Sequence, residues 1–103
     1  MAIETRDQST FVGKLDDDPQ FTSDVDSLMG RPLPEEPHVV LDLSRVRYMN
    51  SSNIAKMLRL RKIIIEKNGK LVLVSPSPQV WSVFAVTGLD KVFVFEADLS
   101  SAL

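Results

Sequence analysis

From residue 38 onward the sequence alternates short apolar runs with longer amphipathic stretches, and this constrains the fold more than any other feature of the chain. Residues 38–43 (HVVLDL), 70–74 (KLVLV) and 92–95 (VFVF) are rich in β-branched, leucine and aromatic side chains. Between them lie 51–68 and 77–87, where apolar residues recur at helical spacing. Strand–helix–strand units join parallel strands through right-handed crossovers. Nearly continuous apolar strands suit a sheet covered on both faces. Two overlapping units therefore predict three parallel strands.

Capping residues sharpen the boundaries. Ser77-Pro78 and Gly88 bracket one helix, whose apolar stripe is Val80, Val83 and Phe84. Serine accepts from free backbone N–H groups, proline suits the first helical position and glycine ends the run. Asp18-Pro19 and Gly30 bracket an earlier helix in the same way, with Phe21, Val25, Leu28 and Met29 at helical spacing. The middle helix begins within residues 50–52, runs to Asn68 and is expected to terminate at Gly69. Upstream, residues 10–15 read as an early strand paired with residues 2–6, extending the sheet at one edge. Residues 98–103 read as a terminal helical turn. The predicted fold is α/β: one small domain over residues 1–103, with a mixed four- to five-stranded sheet whose parallel strands are joined by crossover helices.

A chain of 103 residues suits one domain with a modest core. It has no cysteine, which removes disulfides and thiolate metal sites. No apolar run approaches the roughly 18 residues of a membrane span. The first residues, MAIETRDQST, lack the basic-then-apolar order of a signal peptide. The expectation is a cytoplasmic protein with no membrane insertion. The net charge is −2 but unevenly spread: residues 1–42 carry ten acids and three bases, and residues 43–103 nine bases and four acids. Such a split either steers a charged protein partner or draws the two halves of one fold together.

Signals for enzymatic or cofactor chemistry are weak. His38 is the sole histidine and opens a strand, so no chemical role is expected of it. No GxGxxG or GxxxxGK[ST] loop supports a nucleotide site, and no cofactor is expected. Asp16-Asp17-Asp18 could attract a cation, but adjacent aspartates at a helix start serve more often as caps and solubilising groups. With roughly 100° per residue, Ile54, Met57, Leu58, Leu60, Ile64 and Ile65 share one broad face of the middle helix. Lys56, Arg59, Lys62 and Lys67 lie opposite, with Ile63 among them. Arg61 falls inside the apolar face and reads as a snorkelling side chain. The basic residues lack interleaved aromatics and the chain is acidic overall, which disfavours nucleic acid. Trp81 flanks the last helix's stripe, either as a partly exposed interface residue or packed on a neighbouring loop.

In open α/β sheets, binding loops gather beyond the carboxyl ends of the parallel strands. Residues 44–52 and 75–78 leave two such ends and lead into helix N-termini, which favour negative charge. The first runs into Asn50-Ser51-Ser52-Asn53 within RYMNSSNIAKML. A helix start needs only one capping residue of this kind. The hydroxyls also suit phosphorylation, which would add about −1.5 to −2 charges. Ser51 has no obvious general base beside it, so it is not read as a nucleophile. Lys56 and Arg59 follow closely and could meet an acidic partner.

The motifs resemble those of the STAS domain, the fold of bacterial anti-sigma factor antagonists. "GKLD" at Gly13–Asp16 is similar to that family's G-x-L-D after an early strand. "VVLDLSRVRYMNSSNIAKMLRLRK" resembles its strand, loop and helix, in which V-x-L-D-L-S leads to D-S-S-G. "NGKLVLVSPSPQVWSVFAVTGLDKVFVF" resembles its G-x-L-x-L strand, S-P-x-V helix and T-G-L-D close. The match is collinear over nearly the whole chain. The resemblance implies a STAS-like fold and a non-enzymatic switch. A partner that is both anti-sigma factor and serine kinase binds the unmodified protein and phosphorylates it, and a phosphatase reverses the modification. By position the acceptor would be Ser51, with Ser52 the second choice. The partner-facing set would be Asp16, Asn50, Ser51, Ser52, Asn53, Lys56 and Arg59. Two departures stand out. Asn50 replaces the motif's aspartate, and Asn53 replaces its glycine, adding a side chain where a partner would approach. These departures keep a second reading open: a non-switched STAS scaffold or accessory subunit, in a stress-signalling complex or a lipid-transport system. Weak self-association also stays open.

Overall fold

The computed structural model describes residues 3–103. Strand β1 (Ile3–Thr5) turns back into β2 (Thr10–Asp16), and helix α1 (Gln20–Gly30) leads to β3 (His38–Arg45). Helix α2 (Ser51–Glu66) leads to β4 (Lys70–Val74), and helix α3 (Pro78–Val86) with a 3-10 turn (Leu89–Lys91) leads to β5 (Val94–Glu96). Helix α4 (Leu99–Ala102) closes the described chain. The sheet order is β1-β2-β3-β4-β5; β1 is antiparallel to β2 and the other neighbours are parallel. The two predicted crossover units are present, and β2 joins them through a third. The predicted edge pairing is also present, except that Ala2 lies outside the described residues.

Strand alternation sorts the core into two layers. Leu15, Val39, Leu41, Leu43, Leu71 and Leu73 face α1, α2 and α3, which supply Phe21, Val25, Leu28, Met57, Leu60, Ile64, Val80 and Phe84. Val12, Val40, Val72 and Val74 point to the reverse side, covered by Leu99 and Ala102 of α4. Strands taken in sequence order with right-handed crossovers place all three connecting helices on one side. The reverse side therefore depends on four terminal residues.

Several boundaries differ from the sequence reading for local reasons. Helix α1 starts one residue later than the Asp18-Pro19 signal implies, and Pro19 occupies the cap position. The Asp18 carboxylate still accepts a backbone N–H, from Thr22 at 2.9 Å. Helix α2 ends at Glu66 rather than Asn68, and Gly69 is not its left-handed residue. Asn68 takes that conformation (φ 59). Its N–H donates to the Ile65 carbonyl and that of Gly69 to the Ile64 carbonyl, the paired bonds of a Schellman ending. Gly69 is needed for clearance instead: a Cβ there would sit 2.4 Å from the Pro37 carbonyl oxygen. Strand β5 begins two residues late because Leu89–Lys91 wind into a 3-10 turn and the N–H groups of Val92 and Phe93 bond back to the Leu89 carbonyl. As an edge strand it leaves Val94 exposed rather than covered on both faces. In α2 the buried residues are Asn53, Met57, Leu60 and Ile64, so the expected face is narrower. Leu58 and Ile65 are exposed, and Ile63 is half-buried rather than lying on an open basic face.

Candidate functional site

The carboxyl ends of β2, β3 and β4 each feed a helix N-terminus, and the three starts lie on one edge of the sheet. At the centre, Asn50 caps α2. Its Oδ1 accepts the Asn53 N–H at 2.9 Å, while Asn53 Oδ1 accepts the Asn50 N–H at 3.1 Å. This reciprocal pair is a capping box built from two asparagines. It satisfies two donors that a helix start otherwise leaves open.

The box is tied to the neighbouring helix. Asn53 Nδ2 donates to Asp18 Oδ2 at 2.9 Å, and Asp18 Oδ1 accepts from the Thr22 N–H and from the Thr22 hydroxyl at 2.7 Å. The Thr22 hydroxyl and then the Asn53 amide hold the Asp18 carboxyl below its usual range, against the opposing effect of burial. Asp17 grips the loop before α2: it accepts the Arg47 backbone N–H at 2.8 Å and pairs with Arg47 Nε at 2.6 Å. That guanidinium lowers the Asp17 carboxyl as well. The third start joins through Ser77, whose Oγ accepts from the Val80 N–H at 3.2 Å and lies 3.5 Å from the Val46 carbonyl oxygen.

Within this frame the predicted residues fall into three groups. Ser51 and Ser52 occupy the first turn of α2 and are exposed, and neither hydroxyl is hydrogen-bonded to a described residue. Asn50 is exposed beside them, and Arg59 is exposed further along the helix. Lys56 is half-buried and pairs with Asp26 at 2.6 Å, so its charge is partly spent within the fold. Asn53 is 2% exposed, which corrects the expectation that its side chain meets a partner; it points inward, to Asn50 and Asp18. Asp16 makes no hydrogen bond to this turn. It lines a cavity of about 850 Å³ with Ile3, Lys14, Arg45 and Leu99.

Sequence reasoning missed Asp17, Asp18 and Thr22 as parts of the site. The run of three aspartates that begins at the last residue of β2 was the available signal, but it suggested caps and solubilising groups rather than a clamp. Among the described residues no cluster of His, Cys, Asp and Glu could hold a metal ion, and Asp17 and Asp18 are engaged as above. Tyr48, 52% exposed, was also overlooked; it stands in the loop just before the box. His38 opens β3 at the opposite end of the strand from Ser51 and so cannot serve it as a base.

The arrangement thus presents two free hydroxyls on a helix start held by a capping box, a carboxylate clamp and an ion pair. Comparisons with known proteins agree with this architecture. BtrV of Bordetella bronchiseptica, described as a candidate anti-sigma factor antagonist, is 36% identical over 58 residues, which cover 56% of this chain and 50% of BtrV. The chain thus spans about half the length of the curated relative it matches. The solved structure of an anti-sigma-factor antagonist (STAS) domain protein from Planctomyces limnophilus superposes with a TM-score of 0.78 at 25% identity, covering 97% of this chain and 93% of the other. A candidate anti-sigma factor antagonist from Thermotoga maritima superposes with a TM-score of 0.78 at 20% identity, covering 98% and 89%, and shares the fold. The STAS domain family model matches residues 11–102, and the chain belongs to the STAS domain family.

Proposed function

We propose that this protein is a regulatory STAS domain of the anti-sigma factor antagonist type. It binds an anti-sigma factor that is also a serine kinase, and phosphorylation at Ser51 switches that binding off. A phosphatase resets it, and the domain performs no catalysis of its own. The observation that carries the reading is the pair of exposed, unbonded hydroxyls on a rigidly held helix start. Rigidity lets a kinase meet a fixed acceptor, and exposure lets it reach one. The added charge of about −1.5 to −2 suits the helix dipole, so the domain keeps its fold while a docked partner meets an uncompensated anion. The similarity to BtrV supports the partner class.

The test is phosphorylation of the intact protein by its kinase with ATP, mapped by mass spectrometry, beside partner binding of Ser51→Ala and Ser51→Asp. Modification at Ser51 and lost binding only in Ser51→Asp are the expected results. No phosphate on Ser51 or Ser52, with binding unchanged in Ser51→Asp, overturns the switch.

One observation favours a non-switched scaffold or transport-accessory subunit as the second reading. Trp81 is 40% exposed although its ring packs edge-on against Phe95 at 5.0 Å, giving the α3 side an aromatic surface of its own. A stable complex that survives Ser51→Asp and is lost in Trp81→Ala selects this reading.

A further inference from the structure

Helix α2 has an apolar flank that no other helix covers. It rests on the sheet through Asn53, Met57, Leu60 and Ile64. Lys56 points to one side, where it meets Asp26 of α1. At about 100° per residue, Ile54, Leu58, Arg61 and Ile65 therefore face the other side, toward α3. Helix α3 rests on Val80 and Phe84 and turns Trp81 outward onto Phe95 of β5. Its opposite flank, Gln79, Val83 and Val86, faces α2. The two flanks do not close on each other: no Cα of α2 lies within 8 Å of one in α3. Leu58 is 38% exposed, Ile65 47% and Val86 86%. On the α3 wall alone, a shallow cavity of about 280 Å³ opens along Ser82, Val83, Val86 and Thr87.

The charges nearest this groove are basic. Arg61 lies in its wall and Lys62 on the crest of α2, and neither has an ion-pair partner among the described residues. Helix α3 contains no acidic residue, and Glu66, the one acid of α2, lies one turn after Lys62 on the outer crest rather than in the groove wall.

We propose that the groove between α2 and α3 docks an acidic amphipathic helix of a partner protein. Apolar anchors would fill the space beside Leu58, Ile65 and Val86, and carboxylates would meet Arg61 and Lys62. Helix-in-groove recognition uses anchors at i, i+3, i+4 and i+7 in this way, and complementary rim charge sets the orientation and encounter rate. A second copy of this chain fits poorly. Its acidic helix α1 buries Phe21, Val25 and Leu28 in its own core and engages Asp24 with Gln20 and Asp26 with Lys56. The groove lies on the helical flank and not at the Ser51 turn, so it is a second docking surface independent of the phosphoswitch.

The test is an NMR titration of the isotope-labelled intact protein with a synthetic helix of about four turns, with leucines on one face and glutamates on the other. Amides of residues 54–65 and 79–86 should shift and saturate, more weakly as salt rises. Arg61→Glu combined with Lys62→Glu should weaken binding roughly tenfold or more. Leu58→Ser combined with Val86→Ser should abolish it while the rest of the spectrum stays native. Ser51→Asp should leave the titration unchanged, which separates this site from the switch. Absence of saturable shifts, shifts confined to the Ser51 turn or β5, or equal binding of a lysine-for-glutamate peptide overturns the proposal. Concentration-dependent broadening of the same amides without peptide also overturns it, by showing that the groove closes on a second copy.

Discussion

Asn53 and Asp18, 35 residues apart in sequence, are joined by a 2.9 Å hydrogen bond that ties the start of α2 to the start of α1. The same asparagine completes the capping box with Asn50, so one buried side chain serves two helices. Replacing it leaves a backbone donor and a carboxylate oxygen short of partners. Asn53→Ala is expected to cost about 1–2 kcal/mol, measured by urea unfolding. Asn50→Asp keeps the cap acceptor and is expected to stay within about 0.5 kcal/mol of the parent. An Asn53→Ala variant as stable as the parent would show that the tie contributes nothing.

Asp18 should make this region acid-sensitive. Its folded pKa lies below the ordinary 3.8, chiefly through Thr22 and Asn53. A depressed carboxyl stabilises the fold above its unfolded pKa and loses that contribution as pH falls through the folded value. The stability gap between parent and Asp18→Asn should therefore be full at neutral pH and shrink below about pH 4. A pH series of thermal melts reads this directly. A gap that widens on acidification contradicts the clamp.

His38 has the opposite character. Its Nε2 is buried without a hydrogen-bond partner, and burial, aided by the Lys70 charge, pushes its pKa below the ordinary 6.5. The folded state thus favours the neutral ring, and stability should decline as pH drops below 6.5 until the folded pKa is passed. His38→Phe is expected to flatten that segment of the stability–pH curve. An unchanged slope would assign the proton uptake elsewhere.

Residues 68 and 69 offer a contrast in how glycine is used. Gly69→Ala drives a Cβ against the Pro37 backbone and is expected to cost about 1–3 kcal/mol. Asn68→Gly places the permissive residue where φ is positive and should stay within about 1 kcal/mol of the parent. Reversal of this order in denaturant unfolding would mean that Gly69 is kept for conformation and Asn68 for packing.

These positions mark what sequence reading could and could not reach. The strand and helix order was legible because β-branched runs and helical periodicity are local. A cap within residues 50–52 and the Ser77-Pro78 start were legible for the same reason, though not that Asn50 is the residue that caps. The roles of Asp17, Asp18 and Asn53 were not, since each bonds to a residue far away in sequence. The outer faces of α2 were misjudged at Leu58 and Ile65 because periodicity finds an apolar face without saying which neighbours cover it. Strand β5 was placed two residues early because Val92 and Phe93 are as apolar as the strand itself. Their N–H groups instead bond back to the Leu89 carbonyl, which holds them in the turn after the 3-10 segment.

The four valines on the reverse side of the sheet, Val12, Val40, Val72 and Val74, lie in three strands but share one small lid, α4. During synthesis the helical side can assemble as soon as α3 has emerged, whereas this apolar surface stays wet until residues 99–102 follow. A nascent or proteolytically nicked chain lacking α4 would carry a folded front and a sticky back, the form most apt to be held by chaperones or to stack into aggregates.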